Sequence, residues 1–192
     1  MGKLILIIGC MFSSKSSKLL EYYYKFKLKY QCLLISYEKD RRYSENSCVI
    51  THNKFSAKSK PLLNLIECYS LEQYKTSTVI LIDEGQFFED LIEFTLKAVN
   101  EDNKIVIISG LNGDYKKKPI GHINKLICEA DNIDFQTAIC HYCKTPENAI
   151  FSLRINCKNE EQILIGEKNY YVPVCRYHYN LHMEKRSKKL NL

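Results

Sequence analysis

Four short aliphatic runs, Leu4-Ile5-Leu6-Ile7-Ile8, Cys32-Leu33-Leu34-Ile35, Val79-Ile80-Leu81-Ile82 and Ile105-Val106-Ile107-Ile108, are apolar at every position instead of at alternate ones. A strand with one wet face alternates, whereas a strand buried on both faces does not, and such strands belong to parallel sheets covered by helices. The intervening segments agree. Residues 16–29 carry Leu19, Leu20, Tyr23, Tyr24 and Phe26 at helical spacing, and 90–100 reads as a second helix. The expected fold is therefore α/β, a parallel sheet flanked by helices. Residues 37–60 are polar with no clear period, and a short helix is expected around residues 123–129.

From Asp134 onward the strands become short and interleave with cysteines, which predicts a small separate lobe held by a metal. The expected organisation is an α/β domain over 1–135, a metal-held lobe over 136–180 and a basic tail over 181–192. The tail is expected to be a frayed helix or a disordered end. With 45% hydrophobic residues in 192, the chain can bury a proper core. The apolar stretch before Gly9 is too short for a signal-peptide core or a membrane span, so a cytoplasmic protein is expected.

The first strand runs into Gly9-Cys10-Met11-Phe12-Ser13-Ser14-Lys15-Ser16-Ser17 and then into a helix. This is the setting of a phosphate-binding loop: successive backbone N–H groups and a helix N-terminus face an anion, Lys15 adds charge, and the Ser16 hydroxyl can ligate Mg²⁺. The pattern G-x-x-x-x-G-K-[ST] has Ser14 in place of its second glycine, a position where the backbone approaches the phosphates and can require an unusual dihedral. The plainer alternative is a serine-rich loop in which Ser13 or Ser14 caps an ordinary helix.

The third run ends in Asp83-Glu84, two carboxylates at the C-terminal edge of a parallel sheet, where α/β proteins bind ligands. Asp83 suits a Walker B partner of Mg²⁺, leaving Glu84 for general-base work on a hydroxyl nucleophile. Cys140-His141-Tyr142-Cys143 and Cys175-Arg176-Tyr177-His178 form a C-x-x-C…C-x-x-H constellation. Cys140, Cys143, Cys175 and His178 would give Zn²⁺ four ligands and no open position, a structural site. The other cysteines, Cys10, Cys32, Cys48, Cys68, Cys128 and Cys157, show no metal spacing and read as small buried or surface side chains.

Asp83-Glu84-Gly85-Gln86-Phe87-Phe88, together with the phosphate loop, resembles the zinc-containing cytosolic (type II) thymidine kinases. Lys39-Asp40-Arg41-Arg42-Tyr43-Ser44 is similar to that family's K-D-x-R-Y-S segment. Gly110-Leu111-Asn112-Gly113-Asp114-Tyr115, with Lys118-Pro119-Ile120-Gly121, is similar to its loop before the substrate pocket. The resemblance spans roughly residues 3 to 180. It implies that Glu84 is the catalytic base and that Arg42 helps neutralise the transferring phosphate. It implies that Met11, Gln86, Phe87, Leu111, Tyr115, Ile120 and Tyr171 surround the nucleoside, with Ile163-Leu164-Ile165-Gly166 holding the base through main-chain groups. It further implies ATP with Mg²⁺, thymidine as acceptor in nucleotide salvage for DNA synthesis, structural Zn²⁺ and a homotetramer. Cys10, Ser14, Ile120 and Glu167 depart from the family pattern.

Two other readings stay open at this point. A lapsed relative would keep the fold and bind nucleotide without turnover. A zinc-ribbon nucleic-acid binder would use the net charge of +6, concentrated in Lys116-Lys117-Lys118 and Lys185-Arg186-Ser187-Lys188-Lys189. Nucleic-acid binding is not expected, because solvated lysines or contacts to a phosphorylated small molecule explain that charge equally well and the second reading leaves the loop and Asp83-Glu84 unexplained.

Overall fold

The computed structural model describes residues 1–39, 48–50, 56–155, 162 and 170–190, with backbone alone at 48, 50 and 187–190. The first half contains β1 (Lys3–Gly9), α1 (Lys15–Lys27), β2 (Cys32–Tyr37), β3 (Cys48–Ile50), β4 (Ser56–Lys58), β5 (Lys60–Leu62), α2 (Glu72–Thr76) and β6 (Val79–Ile82). The second half contains α3 (Leu91–Leu96), β7 (Ile105–Leu111), β8 (Asn132–Gln136), β9 (Ala138–Ile139), β10 (Asn148–Ala149), β11 (Phe151–Arg154), β12 (Tyr171–Val174) and α4 (Arg176–Leu190). Six strands form one sheet in the order β5-β2-β6-β7-β1-β8, and every pairing in it is parallel.

The uninterrupted apolar runs are explained by the two cores that this sheet separates. Leu4, Leu6, Ile8, Leu33, Ile35, Ile80, Ile82, Val106 and Ile108 pack on one face with Phe88, Leu91 and Phe94. Ile7, Leu34, Val79, Leu81 and Ile107 pack on the other face with Leu19, Leu20 and Tyr23 of α1. Because side chains alternate across a strand, a run buried on both faces must be apolar throughout. Each fully buried aliphatic side chain contributes about 1.5–3 kcal/mol. Truncating one such as Leu81, fully buried in the central layer, to Ala should cost about 2–5 kcal/mol.

Sequence expectation and structure differ in instructive places. The helix expected over 90–100 is α-helical only to Leu96, and Lys97–Glu101 continues as a wider π turn closed by the Asp102 N–H on the Lys97 carbonyl at 3.0 Å. That widening brings the Lys97 ammonium within 3.3 Å of Glu101 and 3.4 Å of Asp102. Residues 123–129 form a 3₁₀ helix. The segment without a clear period contributes β5 to the sheet edge and a β3–β4 hairpin, and strands of three residues are too short to show alternation. Asp134 lies inside β8, which pairs with β1, so the main sheet continues through Gln136. Beyond it, β9–β10 and β11–β12 form two small antiparallel sheets, and the tail continues α4 as helix to Leu190. Among the described residues no helix is long and apolar enough to cross a membrane.

Candidate active site

In a parallel sheet all the strands end along one edge, and the neighbours β1, β7 and β6 deliver three sequence-distant loops there. Gly9 closes β1 where a Cβ would collide with the Gln136 carbonyl of β8 and stand 2.8 Å from Ser13 Oγ. Residues 10–14 then turn back into α1. Phe12 (φ 64°) and Ser14 (φ 61°) both adopt the left-handed region, which L-residues avoid. Ser14 therefore pays for the conformation that a glycine would take freely. It occupies the N-cap position of α1 but makes no side-chain capping bond, and the buried Ser13 hydroxyl donates to the Cys10 carbonyl at 2.8 Å. The capping alternative for these serines is therefore not what the loop is built on.

Lys15 is buried, with Nζ 2.7 Å from the Cys10 carbonyl inside the loop's own concavity. Ser16 Oγ stands 3.2 Å from both carboxylate oxygens of Asp83, and Ser17 follows, half-buried, on the first turn of α1. Asp83 is only 4% exposed and also accepts the hydroxyl of Ser109. A carboxylate and a hydroxyl converging beside a lysine form an all-oxygen donor set, the kind that suits Mg²⁺.

Glu84 is buried at φ 55°. Its Oε2 accepts Gln86 Nε2 at 2.5 Å, and Gln86 Oε1 in turn accepts the Leu111 N–H at 3.0 Å. Gly110 makes room for this arrangement, since a Cβ there would run into Gln86 Oε1. Phe87 is half-buried with its ring 5.2 Å from Tyr37 at the end of β2. Ile120 is buried beside Gly121, whose own φ is 56°.

The C-terminal lobe is bonded directly to the phosphate loop. The Met11 N–H donates to Ser152 Oγ at 2.9 Å, and the Cys10 thiol donates to the Ala149 carbonyl at 3.3 Å. Burial pushes the Cys10 thiol above its ordinary range despite nearby Lys15, so it serves there as a neutral donor. On the adjoining β11–β12 ribbon, Arg154 pairs with Tyr171 and donates to its hydroxyl through Nε at 2.9 Å and also through Nη2. The guanidinium, 5% exposed, lies 3.7 Å over the ring of Tyr115. Asp114 Oδ1 accepts the N–H groups of Lys116 and Lys118, and Oδ2 accepts Gln162 Nε2. Tyr115 and Tyr171, both expected around the nucleoside, thus meet around one buried arginine.

Cys140, Cys143, Cys175 and His178 bring their ligand atoms within 4.8 Å of one another. Sγ of Cys143 and Cys175 are 3.8 Å apart, and His178 Nδ1 is 3.4–3.6 Å from the three sulfurs. A tetrahedral zinc with ordinary Zn–S and Zn–N bonds has S···S edges of about 3.8 Å and S···N edges of about 3.5 Å. Burial raises the Cys140 thiol, but the backbone N–H groups of Cys175, Tyr142 and Cys143 outweigh it and bring it down to about 6. Burial and then the neighbouring sulfurs of Cys140 and Cys175 push Cys143 up to about 12. The cluster can hold zinc.

Arg42 and Ile163, Leu164, Ile165 and Gly166 lie outside the described residues. Ser109, Asp114, Ser152, Arg154 and Gln162 were not singled out from sequence. Ser109 had a signal, a lone hydroxyl directly after an aliphatic strand, and so did Arg154, a lone charge ending Phe151-Ser152-Leu153.

A family profile described as thymidine kinase matches residues 2–179. Thymidine kinase a of Arabidopsis thaliana is 38% identical over 98% of this chain and 80% of its own. The cytosolic thymidine kinase of Gallus gallus is 35% identical over the same shares of the two chains. The thymidine kinase of Rabbit fibroma virus is 35% identical over 93% of this chain and 96% of its own. With the phosphate loop, the Asp83-Glu84 pair and the four-ligand cluster all inside the matched span, the chain belongs to the thymidine kinase family.

Proposed function

We propose that the chain is an enzyme that transfers the γ-phosphoryl group of ATP to the 5′-hydroxyl of thymidine, giving dTMP for nucleotide salvage. The observation that carries this reading is that the strand-loop-helix unit bearing Lys15 and Ser16 meets the Asp83-Glu84 end of β6 at one sheet edge, with Ser16 Oγ on the Asp83 carboxylate. Backbone N–H groups of the loop other than that of Met11, with the start of α1, bind the phosphates, and Lys15 exchanges the Cys10 carbonyl for phosphate oxygens. Ser16 and Asp83 would hold Mg²⁺, which neutralises charge on the phosphates when bound. Arg42, assigned through the family resemblance, adds positive charge at the γ-phosphate.

Thymidine is taken between the α/β domain, residues 1–135, and the lobe of residues 136–180. Met11, Phe87, Leu111, Tyr115, Ile120 and Tyr171 pack around it, with main-chain groups of 163–166 on the base. Glu84 accepts the 5′-hydroxyl proton while Gln86 holds the carboxylate in place. The zinc is structural, since four protein ligands leave it no open position, and it fastens a lobe whose core is small. The working enzyme is a cytoplasmic homotetramer. Replacing Glu84 with Gln should leave thymidine binding within about 3-fold of wild type while lowering turnover by at least about 100-fold. Turnover near the wild-type rate would remove Glu84 from the role of base.

A further inference from the structure

β7 is aliphatic from Ile105 to Ile108 and then places a serine, 1% exposed, at position 109. Its location follows from register. Ile108 pairs with Ile82 of β6, so Ser109 stands beside Asp83, and it pairs on its other side with Ile7 of β1, the strand that feeds the phosphate loop. Ile107 and Leu81 both face the α1 layer. Ser109 and Asp83, each two residues further on, share that face with Ser16 of α1.

A hydroxyl in an aliphatic layer costs about 1–3 kcal/mol if it is left without a hydrogen bond. Here it donates to Oδ1 of Asp83, a charge-assisted bond of the strong kind. The Ser16 hydroxyl has a single proton and sits at an equal 3.2 Å from both carboxylate oxygens, so it does not select an orientation. Ser16 is also the group that a nucleotide-borne cation would engage. Of the two hydroxyls, Ser109 is the one that keeps its bond to Asp83 in both situations.

We infer that Ser109 is a positioning residue, which fixes the rotation of the Asp83 carboxylate for a divalent cation brought in with the nucleotide. The inference rests on the reading of Asp83 given under Proposed function. Groups that orient a metal-holding carboxylate typically change metal affinity by about 10–100-fold when removed.

The test compares binding of a non-hydrolysable ATP analogue by calorimetry in Mg²⁺ and in EDTA, for wild type, Ser109→Ala, Ser109→Thr and Asp83→Asn. Wild type should bind more tightly in Mg²⁺. Ser109→Ala should lose about 10-fold of that tightening while its affinity in EDTA stays within about 2-fold. Ser109→Thr, which keeps the hydroxyl on a strand that favours β-branched residues, should retain it. A fall of equal size in both buffers for Ser109→Ala, or wild-type tightening in that variant, overturns the inference. If Asp83→Asn abolishes the tightening while Ser109→Ala keeps it, the role of Asp83 stands and that of Ser109 falls. If Asp83→Asn keeps full tightening, the reading of Asp83 falls and takes the Ser109 inference with it.

Discussion

Gln86 joins Glu84 to the main chain of the neighbouring strand: its Nε2 lies 2.5 Å from Glu84 Oε2, and its Oε1 accepts the Leu111 N–H at 3.0 Å. The backbone amide requires an acceptor, which fixes the side-chain carbonyl toward Leu111 and leaves the NH₂ end facing the carboxylate. Glu84, which lies beyond the end of β6 with its backbone in the left-handed region, is thus held from β7. The link depends on Gly110, because any side chain at that position would displace the amide.

Gln86→Leu keeps most of the buried volume and removes both bonds. The expected result is a fall in kcat of about 10–100-fold with the KM for thymidine within about 3-fold, because a group that orients the base acts mainly in the transition state. Steady-state kinetics at saturating ATP checks it. A raised KM with kcat intact would mean that Gln86 binds the nucleoside instead.

Ser14→Gly removes a left-handed serine at φ 61° without touching a capping bond, since none is made. The folded protein should gain about 1 kcal/mol, offset in part by the freer unfolded chain. Ser14→Val should lose more than 1 kcal/mol, about the cost of a β-branched side chain forced into that region. Urea unfolding of the two variants against wild type measures both, and a Ser14→Gly protein less stable than wild type would contradict the account.

Removing the metal should release the lobe and leave the sheet. Ala149 and Ser152 lie on the lobe side of the bonds to Cys10 and Met11, so loss of zinc also loosens the phosphate loop. With a strong chelator, amide exchange should rise across residues 138–155 and 170–179 first, and nucleotide affinity should fall; Cys143→Ser should behave alike. Exchange that rises equally in β6 and β7 would show the metal to be holding the whole chain.

Asp102 supplies a pH test remote from the active site. The Tyr74 hydroxyl donates to it at 2.6 Å, and this bond, opposed by burial and assisted by Lys97, holds its carboxyl below the usual range. A depressed carboxylate stabilises the fold above its unfolded pKa of about 3.9 and loses that contribution as pH falls through the folded value. Asp102→Ala should cost about 1 kcal/mol near neutral pH, after discounting for partial exposure. Its unfolding free energy should also fall less steeply than that of wild type below about pH 4. Parallel acid limbs would contradict the assignment.

The sheet was legible because burial on two faces leaves an unmistakable mark on sequence, and the meeting of Ser16 with Asp83 and the gathering of Cys140, Cys143, Cys175 and His178 could be anticipated because motif chemistry fixes residue type and spacing. Arg154 left only the mark of a lone charge after Phe151-Ser152-Leu153, which does not say that it will turn inward to stack on Tyr115 and reach Tyr171 across the ribbon. Ser152 and Ala149 act on the phosphate loop through contacts about 140 residues apart in sequence, which no local pattern encodes. The short strands β3, β4 and β5 were missed because three residues carry no period.

The central claim, ATP-dependent phosphorylation of thymidine at the Asp83-Glu84 edge, is tested most directly by offering purified zinc-loaded protein ATP·Mg²⁺ with thymidine, deoxyuridine, deoxycytidine or deoxyguanosine and assaying each 5′-monophosphate. The account predicts dTMP from thymidine, and loss of that product in Glu84→Gln. No monophosphate from any of the four nucleosides would contradict it.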